Sequence, residues 1–137
     1  MITRLKNYNE KMANDIFTVF QSAYKIEAQL IGVVDFPLLS RSTKDIKNSK
    51  SLFYGFTEGG CLAAVIEITV ENECLDIHSL TVAPAYFRKG IANKLLNYVL
   101  TSLVFSKAIV ETAELNIPAI QLYKNHGFEK YKVWTPP

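Results

Sequence analysis

Residues suited to redox or metal chemistry are scarce. The 137-residue chain has two cysteines and two histidines. Cys61 and Cys74 fall on two neighbouring strands, well apart in register, so no disulfide is expected between them. Free thiols fit a reducing compartment, and a cytoplasmic location is the expectation. His78 and His126 stand alone, without the clustered Cys/His spacing of a metal site, so no metal is expected. Charge of one sign is also lacking: 15 Lys and Arg against 13 Asp and Glu leave a net +2, which speaks against a dedicated nucleic-acid binder. No apolar run approaches the length of a membrane span, and "MITRLKNYNEKMANDIF" lacks the apolar core of a signal peptide, so no membrane partner is expected. Repeats and low-complexity tracts are absent. Neither G-x-x-x-x-G-K-[S/T] nor G-x-G-x-x-G occurs, which removes support for a P-loop or Rossmann nucleotide binder.

What is present is an apolar fraction of 49%, enough for one domain over residues 1–137 with a real core. "ITRLK" suits a short first strand. Met12, Ile16, Val19, Phe20 and Ala23 recur at helical spacing and predict a helix over 10–31. Gly32 and Pro37 interrupt it, and 32–43 reads as an apolar loop. Ser42 or Thr43 is placed to cap a short helix around 44–49. "SLFYGF" is the second strand. "CLAAVIEITVE" and "ECLDIHSLTV" form a long hairpin turning at Asn72-Glu73. A helix over 90–105, the strand "KAIVET", a helix from Asn116 to Gly127 and a last strand "FEKYKVW" complete the order. The pattern predicts an α/β fold: one mixed sheet of about six strands with helices on both faces.

Two local features bear on function. In "LDIHSLTV" the apolar residues change phase, from Leu75 and Ile77 to Leu80 and Val82. Strict alternation cannot put all four on one face. A one-residue bulge near His78-Ser79 restores the phase; a strand buried on both faces is the alternative. The bulge is favoured, because Asp76 and His78 would otherwise share a face with Leu80 and Val82. The second feature is the basic turn Arg88-Lys89-Gly90 between that strand and the next helix. First-turn amides lack intrahelical partners, and the helix dipole adds positive charge there. A glycine lets an anion approach the backbone. From these residues alone, a phosphate-bearing ligand and an ordinary strand–helix junction stand about level.

Together with a downstream stretch, the turn resembles the GNAT N-acetyltransferase superfamily. "VAP" at 82–84 and "FRKGIA" at 87–92 are similar to that family's acetyl-CoA loop, Q/R-x-x-G-x-G/A after a V-x-P strand end. Asn116, Pro118, Ala119, Leu122, Tyr123, Gly127 and Phe128 match its second signature, N-x-P-A-x-x-L-Y-x-x-x-G-F. Two departures stand out. Phe87 replaces the first Gln or Arg of the loop, and the seventh strand common in the family is missing after "VWTPP". That leaves the last sheet edge bare or covered by a second subunit, and a homodimer is one expectation.

The resemblance implies an acetyl-CoA-dependent N-acetyltransferase acting on a small-molecule or peptide amine. A non-catalytic acyl-CoA-binding module is the rival reading. It implies that Arg88, Lys89, Gly90, Ile91 and Ala92 hold the pyrophosphate, and that Leu80, Thr81 and Val82 on a splayed strand take the pantetheine arm. It assigns Asn116 to the CoA arm and Tyr123 to protonating the departing thiolate. For the base it leaves Glu111 and Asp76 open. Acceptor-site candidates are Tyr24, Glu27, Phe36, Leu38 and Leu39. With the hairpin turning at 72–73, Glu67 and His78 are expected to face each other as an ion pair or water relay.

Overall fold

The computed structural model describes residues 1–32, 41–112 and 116–130. β1 (Ile2–Leu5) leads into α1 (Glu10–Ile31). Asn9 caps α1 by accepting from the Met12 amide, and Gly32 ends it in a left-handed conformation. Ala13, Ile16, Val19, Phe20, Tyr24 and Ala28 form its buried face at three- and four-residue spacing; of the residues read from sequence, Ile16, Val19 and Phe20 are on it, and Met12 and Ala23 are only half-buried. Next comes α2 (Thr43–Lys47), begun by a reciprocal Ser42–Asp45 capping box. The Asn7 amide donates to the Ile46 and Ser49 carbonyls (2.8 and 3.0 Å) and ties the β1–α1 turn to the end of α2.

β2 (Leu52–Glu58), β3 (Cys61–Glu71) and β4 (Cys74–Val82) follow. Then come a short 3₁₀ turn at Pro84–Tyr86, α3 (Ile91–Ser102), β5 (Lys107–Val110) and α4 (Ile117–Asn125). The described sheet has five strands in the order β1-β2-β3-β4-β5. All neighbours are antiparallel except β4 and β5, which are parallel. The β3–β4 turn places Asn72 and Glu73 at φ 51° and 60°, the conformation a two-residue hairpin turn requires. The sixth strand expected over 128–134 is not seen at 128–130, which are in no strand; 131–134 lie outside the described residues.

Two cores flank the sheet. Leu5, Phe53 and Val65 pack with α1 and Ile46 on one face. Ala64, Ile66, Ile68, Leu75 and Ile77 pack with Ile91, Leu95, Leu96, Val99 and Tyr123 on the other. Both cysteines are free; Cys61 pairs across from Glu58 and Cys74 from Glu71. Among the described residues no helix is long and apolar enough to cross a membrane.

The bulge in β4 falls where the phase change puts it. Ile68 pairs with Ile77, yet Glu67 pairs with Ser79, so His78 is the extra residue. Leu80 and Val82 thereby join Leu75 and Ile77 on the α3 face. The parallel ladder with β5 stops at the same place, with Ile77 opposite Val110.

Gly55 on β2 shows how tightly the α1 face is packed. A Cβ there would sit 2.7 Å from both Leu5 Cδ1 and Leu62 Cδ1. Gly55→Val is expected to destabilise the fold by about 1–3 kcal/mol through overpacking, read as a lowered urea midpoint at unchanged slope.

Candidate active site

The β4 bulge opens the centre of the site. Past Ile77, β4 has no strand partner on its β5 side among the described residues. The Ala83 amide donates to the Ala63 carbonyl (2.8 Å), which marks 63–83 as a hydrogen-bonded pair of the antiparallel ladder. Alternation from there directs the Ser79 and Thr81 amides toward β3. The Leu80 and Val82 amides point the other way, into the gap. Thr81 is buried, its hydroxyl donating to the Val65 carbonyl at 3.3 Å.

At the upper end of that gap lies the basic turn. Arg88 (φ 64°) and Gly90 (φ 73°) are both left-handed, and Gly90 is the N-cap of α3. No side chain caps this helix, so its first amides, including those of Ile91 and Ala92, stay outward as donors. A Cβ built on Gly90 meets nothing within 4 Å, so the space before the turn is open. Arg88 is exposed; Lys89 reaches Glu58 at 3.5 Å.

Tyr123 on α4 belongs to the same core as Ile77, against which Leu80 and Val82 also pack. It is 7% exposed and packs edge-on against Phe128, with ring centroids 5.5 Å apart. The Phe128 amide returns to the Tyr123 carbonyl (3.0 Å), which turns Phe128 back against the ring. Asn116 begins α4; its Oδ1 accepts from the Ala119 amide at 3.3 Å and leaves its Nδ2 as a donor.

On the α1 face, Tyr24 is 1% exposed, and its hydroxyl lies beside the Ser79 hydroxyl. Burial pushes its pKa up to about 12 despite that hydroxyl. Burial likewise raises the Tyr123 pKa, and the Glu27 carboxylate adds to the rise. The charge of Glu27 therefore acts on both phenols, one from each face of the sheet. Glu27 is itself half-buried, its pKa raised by desolvation, and no ion pair compensates it among the described residues.

The expected Glu67–His78 pair does not form. The bulge moves Ser79 opposite Glu67 and leaves His78 exposed, 2.8 Å from the Thr69 hydroxyl. The buried Glu67 carboxylate instead accepts two hydrogen bonds from the Arg41 guanidinium, at 2.6 and 3.0 Å. Arg41 also lies 5.8 and 5.9 Å from the Phe20 and Phe53 ring centroids. Asp76 lies on β4 just before the bulge, opposite Thr69 and beside Ile109. Glu111 is exposed, one residue past the end of β5. Phe36, Leu38 and Leu39 lie outside the described residues. Arg41, Ser79 and Glu58 escaped the sequence reading. A glutamate among Val65, Ile66 and Ile68 on a central strand was the available sign that a buried cation must exist.

A bulged β4 whose ladder with β5 stops at Ile77, followed by a glycine-headed helix without a side-chain cap, is the arrangement the described residues show. Residues 13–128 match the Acetyltransferase (GNAT) family, and the chain belongs to that family. It is 37% identical over 131 residues to the UPF0157 protein YqkA of Bacillus subtilis, covering 95% of this chain and 38% of that relative's length. Solved structures share the fold at lower identity. The ribosomal-protein-S18-alanine N-acetyltransferase of Escherichia coli is 22% identical, with a TM-score of 0.76 over 96% of this chain and 79% of that one. The PaiA N-acetyltransferase of Thermoplasma acidophilum, in complex with coenzyme A, is 16% identical, with a TM-score of 0.78 over 94% and 89%.

The raised pKa of Glu27 carries a stability consequence. A carboxyl that holds its proton more tightly when folded favours the native state at low pH. That contribution is lost as pH rises from the unfolded value, near 4.5, through the folded one. Glu27→Gln is expected to remove this decline and to leave the variant more stable than wild type at pH 7, measured by urea unfolding across pH 4–8.

Proposed function

We propose that this chain is an acetyl-CoA-dependent N-acetyltransferase that moves acetyl directly from the thioester to an amine bound beside it. The observation that carries this reading is the continuity of donors: the uncapped N-terminus of α3 headed by Gly90 opens onto the gap into which the Leu80 and Val82 amides point. In this reading the amides of Gly90, Ile91 and Ala92, with Arg88 and Lys89, receive the pyrophosphate. Leu80, Thr81 and Val82 provide a strand edge for the pantetheine arm, and the Asn116 Nδ2 donates to the same arm. Phe87, where the family pattern has Gln or Arg, adds no donor; the backbone groups are what this site relies on.

An outward β4 amide donates to the thioester carbonyl as its oxygen gains charge. The amine nitrogen forms the new bond to carbon, the carbon–sulfur bond breaks, the amine loses a proton and the departing sulfur gains one. Tyr123 is the donor for that sulfur. A tyrosine phenol carries its proton at neutral pH, and burial disfavours the phenolate further. Glu27, uncompensated on the α1 face, attracts the acceptor's ammonium group, with Tyr24 and Phe36 as further acceptor-side residues. Asp76 and Glu111 are the alternatives for taking the amine proton. The acceptor is a small-molecule or protein amine. Structures of the same fold include an aminoglycoside acetyltransferase in complex with sisomicin as well as the ribosomal-protein enzyme.

CoA is expected to stabilise the protein by about 2.7 kcal/mol when present at about 100 times its Kd, seen as a raised Tm and a calorimetric isotherm. Gly90→Glu is expected to abolish both, because the new carboxylate enters the open space before the turn and repels phosphate. Absence of heat and of any melting shift with wild type would sink the reading. CoA binding without thiol release across an amine panel would move it to the non-catalytic module.

Tyr123→Phe keeps the ring against Phe128 and removes only the hydroxyl. Turnover is expected to fall on the order of 10²-fold with CoA affinity little changed, the pattern of a group used in the transition state. Full turnover in the variant would assign the sulfur's proton to water.

A further inference from the structure

One cation of the basic turn already has a partner. The Lys89 ammonium lies 3.5 Å from a Glu58 carboxylate oxygen and 5.4 Å from the centre of the Tyr86 ring. Glu58 is the last residue of β2, just before the tight Gly59-Gly60 turn. One turn into α3, Lys94 sits 5.9 Å from the ring of Phe56, two residues back on the same strand. The end of β2 is thus laid alongside the start of α3, and Glu58 puts a carboxylate beside a helix N-terminus that favours anions. Both members of the pair are about half exposed, within reach of an incoming ligand.

A phosphate arriving at this turn meets Glu58 in two ways. The carboxylate repels it, and the ion pair withholds the Lys89 ammonium that would neutralise it. Arg88 and Lys94 remain, but neither has an ion-pair partner among the described residues to give up. We infer that Glu58 is an internal competitor of the CoA phosphates for Lys89, so that binding the cosubstrate breaks the Glu58–Lys89 pair and Glu58 sets the affinity. The inference rests on the turn being the phosphate site. An exposed ion pair is weak and screened by salt, so the effect is graded: about two- to fivefold in Kd at low ionic strength, fading as salt rises.

Calorimetric titration of CoA and of 3′-dephospho-CoA into wild type, Glu58→Gln, Lys89→Met and the double variant tests it. Melting curves establish that each variant is folded, and the hairpin position of Glu58 makes unfolding by Glu58→Gln remote. Glu58→Gln is expected to bind CoA about two- to fivefold more tightly at low salt, with the gain lost at high salt and clearly reduced in the Lys89→Met background, where only the direct repulsion remains to be relieved. The gain persists with dephospho-CoA if Lys89 turns to the pyrophosphate, and disappears with it if Lys89 turns to the 3′-phosphate. Unchanged or weaker binding by Glu58→Gln overturns the inference, as does an equal gain without Lys89, which would reduce Glu58 to simple repulsion. Failure of wild type to bind CoA at any salt concentration overturns the phosphate site itself.

Discussion

One extra residue in β4 governs the geometry around it. Without His78 as a bulge, Leu80 and Val82 would turn to the α1 face, where Tyr24 and Glu67 lie, and their places in the α3 core would fall to Ser79 and Thr81. The bulge moves only Leu80 and Val82, both partly buried, and each contributes a part of the about 1.5–3 kcal/mol that a fully buried side chain of this size gives, against about 0.5–1.5 for a forfeited ladder hydrogen bond. The hydrophobic effect therefore selects the bulge. The same step ends the β4–β5 ladder at Ile77 and Val110 and leaves the Leu80 and Val82 amides facing a gap. A packing requirement on one face thus leaves backbone donors at the strand edge with no strand partner among the described residues.

The α1 face handles its acids unequally. Glu67 is the more deeply buried and has two hydrogen bonds from Arg41, itself set against two aromatic rings. Burial alone would lower the Arg41 pKa; the hydrogen bonds and charge of Glu67 more than reverse it. Removing one partner of such a pair leaves an uncompensated buried charge, a loss of about 3–5 kcal/mol in comparable sites. Glu67 is committed to structure on these grounds. Glu27 is less buried and has no such partner among the described residues, and its field acts on Tyr24 and Tyr123 together. A cationic acceptor gains most from the second kind of carboxylate, because its desolvation has not already been offset from within.

Local signals were legible where one pattern settled one element. The spacing of Met12, Ile16, Val19, Phe20 and Ala23 matched α1 over Glu10–Ile31, and the Ser42 cap and the Asn72-Glu73 turn were also readable. The predicted helix over 90–105 overruns α3 by three residues. Leu103, Val104 and Phe105 continue its apolar composition, but the backbone is already extended at Leu103. Contacts distant in sequence were not legible. Arg41 reaches Glu67 across 26 positions from a stretch that reads as apolar loop. The Glu67–His78 expectation failed for a more instructive reason. The phase change in "LDIHSLTV" already required a bulge, and a bulge at His78 shifts every pair beyond it by one. Counting the hairpin register straight through from Asn72 was inconsistent with that requirement. Local periodicity and long-range register have to be solved together.

The helix starts show where the fold leaves a donor set open. α1, α2 and α4 are each capped by a side chain, from Asn9, Ser42 and Asn116 respectively. α3 begins with Gly90 in the left-handed region, preceded by Arg88 in the same region, and has no cap. A Ser, Thr, Asp or Asn cap would stabilise such a helix by about 1 kcal/mol, but its side chain would occupy the amides. A left-handed Arg88 adds strain of about 1–3 kcal/mol unless its surroundings hold it there. Both costs fall on the segment joining the open β4 edge to α3. Buried Ile91, Leu95, Leu96 and Val99 anchor the rest of the helix, so the open first turn is held in place from behind by packing. The amides are fixed before any ligand arrives, and an anion reaching them does not have to order the helix as well. That is the condition under which backbone donors contribute most to binding.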